Sequence, residues 1–447
     1  MGESQQRTLF SDDEIPTQES KPKPLGAPRV KSADRSQLEL RTFDLDSTLP
    51  EGHTARLVWD FVLGFDMSAL YNKIRATEGC VGRAAIDPII LMSLWMYATI
   101  DGVGSARALA RLCDAHDAYR WICGGVSVNY HTLADFRVNH GEFLDSQLTA
   151  SVAALMAEGL VELNRVAQDG VRIRASAGAA SFRRKQTLEE CLKEAEEQIE
   201  ALKREVNEDP AGTENRRRAA RERAARERME RVVKAMKHVR EVEEKKKTEE
   251  KKKKARASTT DPEVRVMKMA DGGFRPAFNG QFAADTETMV VLGVDLDNSG
   301  SDQGKMSPMV EQLQERYGKA PSEYLVDGGF ANRGDIEKVS GPEMGSTVYA
   351  PVQEPKNKNR DRFQPMASDT ESVAEWRKRM GTEVAKKIYK DRAATAECVN
   401  AQARNRGLQQ FNVRGMEKAK TVLLWFALAH NLMRTVALRL EFAKVAI

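Results

Sequence analysis

The chain has 447 residues, enough for two or three domains with sizeable cores. Apolar residues make up 41% and charged ones 30%, with a formal net charge of only +4, so the composition fits a soluble globular chain and permits nucleic-acid binding without demanding it. Its five cysteines, Cys80, Cys113, Cys123, Cys191 and Cys398, are scattered, and none stands in a CxxC or at zinc spacing from a histidine, which excludes a disulfide framework and a zinc ribbon and predicts reduced cysteines in a cytoplasmic protein.

Residues 1–45 are polar, with Pro16, Pro22, Pro24 and Pro28 among Ser, Lys, Gln and Glu, and read as a disordered tail without the apolar run of a secretory signal. One cluster interrupts this tail: Gln6, Leu9 and Phe10, followed by Ser11-Asp12-Asp13-Glu14. Adjacent apolar side chains there serve no core, and Gln-x-x-Leu-Phe resembles the peptide by which bacterial replication and repair proteins dock on the sliding clamp.

From 46 to 160 apolar residues recur three and four apart, predicting helices over 55–63, 67–74, 88–100 and 106–113. Pro88 after Asp87 suits a helix start. The Gly124-Gly125 break before a helix starting near Asn129 fits either a helix-turn-helix-like unit or a plain helical bundle. In that last helix His131 and Arg137 are candidates for DNA phosphate contacts, with a surface or capping role the plainer reading of His131; His116 and His140 have no ligand spacing.

Val166 to Arg174 reads as a strand containing Asp169-Gly170. Residues 184–257 form an inserted charged segment. Leu188, Leu192, Ala195, Ile199, Leu202 and Val206 make one heptad seam, and Ala225, Met229, Val232, Met236 and Val239 a second, separated by Asp209-Pro210-Ala211-Gly212. Two seams around a Pro-Gly turn predict an antiparallel helical hairpin, its last part, Glu243 to Arg256, a lone solvated helix or frayed. Its Arg and Lys blocks are either solvated faces or contacts to DNA phosphates.

Strands follow at 280–285 and 289–295 as a hairpin, then a helix over 308–317, a strand at Tyr324 to Val326, a helix over 333–339 and a strand over 347–352. Asp327, at the end of an apolar strand and before Gly328-Gly329, sits at the lip of a sheet where the chain turns and a ligand can approach. Residues 370–405 read as mainly helical, and 421–440 as a buried C-terminal helix, because His430, Asn431 and Arg434 interrupt a run otherwise apolar enough for a membrane. Strands alternating with helices predict an α/β fold with a mixed sheet.

Three blocks in this order, Gln168-Asp169-Gly170, Val326-Asp327-Gly328-Gly329-Phe330 and Tyr389-x2-Arg392-x4-Glu397-x6-Arg404, resemble the catalytic blocks of bacterial insertion-sequence DDE transposases. The last resembles their Tyr-Arg-Glu-Lys signature, in the branch with an all-helical N-terminal domain. Thr132 to Arg137, Gly407-Leu408, Arg414-Gly415 and His430-Asn431-Leu432 are also similar to that branch. Arg404 stands in place of the usual Lys, keeping the charge with a different geometry, and the Arg392–Glu397 spacing is one residue longer than in the commonest form.

The resemblance implies a ribonuclease-H-like catalytic core over 161–183 and 258–447, an all-α DNA-binding domain over 46–160 and the inserted hairpin over 184–257. It implies that Asp169, Asp327 and Glu397 hold two Mg²⁺ ions, with Mn²⁺ a substitute, while Tyr389, Arg392 and Arg404 contact DNA. The residue types suit the chemistry. Displacement at phosphorus profits from two ions about 3.5–4 Å apart, and Mg²⁺ prefers carboxylate oxygens. The implied activity is cutting at the element's terminal inverted repeats and joining the ends to target DNA, by a homodimer on paired ends and with no membrane involved. Two alternatives remain: a catalytically silent DNA-binding protein on the same scaffold, and a structural coiled-coil adaptor.

Overall fold

The computed structural model describes residues 44–77, 79, 83–208, 215–244, 246, 248–355 and 360–445. Gln6, Leu9, Phe10 and the predicted turn at 209–212 lie outside the described residues.

The first half is helical: α1 Thr54–Leu63, α2 Ser68–Tyr71, α3 Pro88–Ile100, α4 Ala106–Ala115, α5 Asp117–Cys123, α6 Tyr130–Val138 and α7 Gly141–Ala157. Each start has a local cause. The Asp87 carboxylate accepts the Ile89 N–H with Pro88 in the first helical position, Ser105 accepts from Ala108, and Asn129 accepts from Thr132. Gly124 takes a left-handed conformation, φ 55°, and stops α5. The second helix is shorter than its sequence pattern, which predicts 67–74.

Then come β1 Arg165–Arg174, β2 Phe182–Arg183, α8 Lys185–Glu208, α9 Asn215–Glu244, α10 Glu249–Lys253 and β3 Ala257–Ser258. The remainder is β4 Arg265–Lys268, β5 Phe274–Asp285, β6 Val291–Asp297, α11 Met306–Tyr317, β7 Glu323–Leu325, α12 Arg333–Ser340, β8 Thr347–Tyr349, α13 Glu371–Met380, α14 Glu383–Asn405 and α15 Met416–Val445. The protein is therefore mixed α/β, as the alternation of patterns predicts.

In the main sheet β1 pairs antiparallel with β5 on one edge and parallel with β7 on the other, and β7 pairs parallel with β8. Along its far edge β5 carries β4 and then β6, both antiparallel. Asp285 shapes the β5–β6 turn by accepting from the N–H groups of Glu287 and Thr288. One apolar core runs continuously from Leu49 in the helical half to Leu432 in α15, which packs on α3, α6, α7 and β6. α15 is the one described helix long and apolar enough to cross a membrane, and 72% of that stretch is buried inside the protein.

In α8 and α9 the seams meet in antiparallel order: Leu188 packs with Val232, Ala235 and Val239, and Ile199 and Leu202 with Ala225. The end of this segment differs from the solvated or frayed helix expected over 243–256. Helix α9 ends at Glu244, and after short α10 the chain turns back so that Ala255 and Ala257 are buried against the seam. Strand β3 then pairs with β2, joining the entry and exit of the insertion. Two alanines are small enough to enter the helix–helix groove, and an otherwise Glu/Lys run hides them from a periodicity reading.

Candidate active site

Asp169 and Asp327 are brought together by register. Ala167 on β1 is the parallel partner of Leu325, the last residue of β7, and two residues further along the chain in each case stand Asp169 and Asp327. Asp169 thus stands in the middle of β1, just past its pairing with β7, and Asp327 in the turn that follows β7. Asp169 Oδ1 accepts its neighbour Gly170's N–H at 2.9 Å, and Asp327 Oδ1 accepts that of Gly329 at 2.8 Å. Burial pushes the Asp169 carboxyl up to about 6; nearby Arg392 opposes this, and the charges of Asp327 and Asp302 add to it.

Helix α14 lies against β1 and supplies the other wall. Its buried stripe is Thr395, Ala396, Val399, Asn400 and Ala403. Asn400 Nδ2 donates to Asp169 Oδ2 at 3.0 Å, and Arg392 Nη1 lies 3.8 Å from Asp169 Oδ1. The Arg392 guanidinium sits 5.8 Å from the Tyr389 ring centre, so the pair shares the carboxylates' neighbourhood. Burial also raises the Tyr389 hydroxyl, with Arg392 opposing.

Glu397 lies on the adjoining face of α14, exposed, three residues before Asn400. Among the described residues no three His, Cys, Asp or Glu side chains gather closely enough to hold a metal ion. The structure thus unites Asp169, Asp327, Arg392 and Tyr389 and leaves the Glu397 carboxylate outside that group.

Arg404, two turns beyond Glu397 on α14, is exposed and lines a cleft of about 320 Å³ with Gly170, Arg172, Arg174 and Arg275. The cleft opens beside Asp169 and is lined by four guanidinium groups, against the single carboxylate of Asp271. Arg137 is elsewhere and is 7% exposed. Its guanidinium packs 4.6 Å from the centre of the Trp95 ring and donates to the Gly104 carbonyl, while its own carbonyl accepts from Trp425. Arg137 is a strut between helices rather than a surface cation, which corrects its place among the DNA-contact candidates. His131 is exposed at the start of α6, its ring centre 4.0 Å from that of Tyr130.

Sequence reasoning missed Asn400 and Asp302. An Asn within an amphipathic helix carries no signal of its own, and Asp302 in Asn298-Ser-Gly-Ser-Asp302 reads as turn chemistry. Asp302 Oδ1 accepts from Asn279 Nδ2 at 2.6 Å and Gln281 Nε2 at 2.9 Å. Behind it, buried Gln168 donates to Gln281 Oε1 and accepts from the Tyr324 hydroxyl, bracing the sheet under the carboxylates.

These residues fit a hard divalent cation. The donors are the carboxylate oxygens of Asp169 and Asp327 and the buried Asn400 Oδ1, which has no hydrogen-bond partner among the described residues. Glycines keep the space open: a Cβ at Gly329 would stand 2.9 Å from Asp327 Oδ1.

Comparison with known families gives two matches. A family described as a Transposase domain matches residues 43–139, and one described as a Transposase DDE domain matches residues 353–436. The first spans the helices from α1 through α6; the second spans α13, α14 and the first two-thirds of α15. No curated protein and no solved structure matches the chain.

Proposed function

We propose that this chain, which its family matches indicate to be an insertion-sequence DDE transposase, cuts DNA at the ends of its element and joins them to target DNA by metal-dependent phosphodiester chemistry. The observation that carries this reading is the parallel β1–β7 register, which sets Asp169 and Asp327 each two residues past the Ala167–Leu325 pair, with α14 packed against β1. The six-stranded sheet supports a ribonuclease-H-like core: β4, β6, β5 and β1 pair antiparallel, then β7 and β8 add to β1 in parallel, with the first strand in the middle.

When bound, two Mg²⁺ or Mn²⁺ ions activate the attacking oxygen and stabilise the leaving one. The chain's own residues do the rest. Asp169 and Asp327 present oxygens at the sheet end, and Asn400 fixes the rotation of the Asp169 carboxylate. Arg392, whose Nη1 lies 3.8 Å from Asp169 Oδ1, would contact a DNA phosphate together with neighbouring Tyr389. The cleft of Arg172, Arg174, Arg275 and Arg404 carries the adjoining backbone without reading bases. Glu397 would supply the third carboxylate from the next face of α14. Exposed His131 offers a further phosphate contact. Paired ends call for a homodimer, and Gln6, Leu9 and Phe10 remain a clamp-docking segment on sequence grounds alone.

The exposed position of Glu397 favours one competing reading, a DNA-binding protein without catalysis. A nicking and strand-transfer assay on DNA carrying the element's ends separates them. Asp169→Asn, Asp327→Asn and Glu397→Gln are each expected to abolish most Mg²⁺-dependent cleavage without adding, because they act as a unit, while end binding persists. An inactive wild type that binds ends would support the silent reading. A fully active Glu397→Gln would remove that residue from the site.

A further inference from the structure

We propose that the tip of the β4–β5 hairpin is a DNA wedge: exposed Phe274, with Val266 beside it, enters a base step of the duplex whose backbone lies in the arginine cleft. This rests on the DNA-acting reading above. Phe274 is 70% exposed and Val266 50%. Single apolar residues on a surface need no explanation, but these two are neighbours. In the antiparallel register Phe274 stands opposite Lys268 and Val266 opposite Pro276, so the four share one face of the two-stranded ribbon. Exposed Lys268 on that face suits a phosphate next to the inserted side chain.

The tip is built to hold one shape. Gly272 takes φ 80°, the Met269 N–H donates to the Gly273 carbonyl at 2.7 Å, and Asp271 Oδ1 accepts the Gly273 N–H at 3.0 Å. Arg275 Nη1 lies 2.7 Å from Asp271 Oδ2 and closes the turn. Phe274 is therefore presented in one place, which lowers the entropy lost on insertion.

The other side of the same hairpin says what covers Phe274. Met269, Asp271 and Arg275 line the arginine cleft together with Arg174 and Arg404. Strand alternation turns Arg275 toward that cleft and Phe274 to the opposite face of the ribbon. The tip thus has one face for phosphates and one for bases, as a side chain that unstacks a base step requires. The contact is remote from the chemistry. Asp169 pairs with Phe282, eight residues along β5 from Phe274, so about 27 Å of strand lies between them, or roughly eight base pairs of duplex. Insertion there kinks the DNA at a step away from the reacting phosphate.

The test uses the full chain in EDTA and a duplex carrying the element's end, with 2-aminopurine at successive positions. Wild type is expected to raise the fluorescence at one step, roughly eight base pairs from the cut point, where stacking is lost. Phe274→Ala is expected to abolish that rise and to weaken binding about tenfold, with an unchanged melting temperature. The slope of log affinity against log salt should stay as it was, because no phosphate contact is lost. Phe274→Leu keeps an apolar wedge and is expected to retain most of both effects. Phe274→Ala with the affinity and profile of the wild type would overturn the wedge and leave the proposed chemistry in place. So would a wild-type complex without an unstacked step. A Phe274→Ala chain that binds DNA normally but loses self-association would also overturn it, giving the patch to a second copy. A wild-type chain that binds no DNA would overturn this inference and the proposed function together. Should the variants fail to fold, 5-iodouracil in the same duplex is expected to cross-link the wild-type peptide carrying Phe274 on irradiation. Cross-links confined to other peptides would overturn the proposal.

Discussion

Asn400 Nδ2 donates to Asp169 Oδ2 at 3.0 Å, a bond between residues 231 positions apart that ties α14 to the first strand of the sheet. Among the described residues this neutral amide and Gly170's N–H are the hydrogen-bond donors to the carboxylate.

Removing that donor should misalign the carboxylate without emptying the site. Asn400→Ala is expected to lower Mg²⁺-dependent cleavage about 10- to 100-fold, the worth of a hydrogen bond to a charged group, with end binding unchanged. Single-turnover cleavage beside a DNA-binding isotherm checks it, and unaltered cleavage would make the contact incidental. The exposed Glu315→Gln on α11 serves as control. Asp335, on α12, is unsuitable for that purpose: it is buried, and its oxygens accept from the N–H groups of Met306 and Ser307 at the start of α11.

Burial pushes the Asp169 carboxyl up to about 6 in the folded chain, against 3.8 for the free group. The folded state thus holds this proton more tightly than the unfolded state does. Its favourable contribution is complete below about pH 3.8, falls as pH rises, and is gone above about 6. In EDTA at pH 7–8, Asp169→Asn should therefore be more stable than the wild type, by at most about 3 kcal/mol, and the difference should vanish toward pH 4. Denaturant melts across this range decide the matter; a variant less stable at pH 8 would contradict the burial argument.

Arg174 and Arg404 line the cleft and are exposed. Replacing either by Ala should weaken binding to all DNA sequences alike. It should also reduce the slope of log affinity against log salt by about 0.9 for each phosphate no longer neutralised. Fluorescence anisotropy at several salt concentrations reads both. A weakening confined to one sequence, or an unchanged slope, would place the DNA elsewhere.

Leu188 is fully buried between α8 and the far end of α9. Leu188→Ala should destabilise the helical pair by about 2–5 kcal/mol. Because the seam has its own small core, the loss should appear as protease sensitivity of 185–244 ahead of global unfolding. Simultaneous loss of all structure would show that the arm and the sheet unfold as one.

The strands bearing Asp169 and Asp327 were legible because each aspartate breaks an apolar run and is followed by glycine. Helices α8 and α9 were legible because heptads survive in a highly charged sequence. Arg137 shows the opposite case. It shares a helical face with Leu133 and Phe136, so the spacing that marks a core was present, but its charge invited a surface role. Asn400 and Asp302 depend on partners more than 20 positions away, and no local pattern encodes such a meeting.

The clip between Phe182–Arg183 and Ala257–Ser258 makes the two ends of the insertion neighbours before its helices begin. For the remaining fold, some seventy residues thus amount to a short closed loop, whose length has little thermodynamic leverage on what it interrupts. Evolution can lengthen, trim or exchange such an appendage while the sheet end keeps its register, so whatever the arm touches can diversify independently of the chemistry.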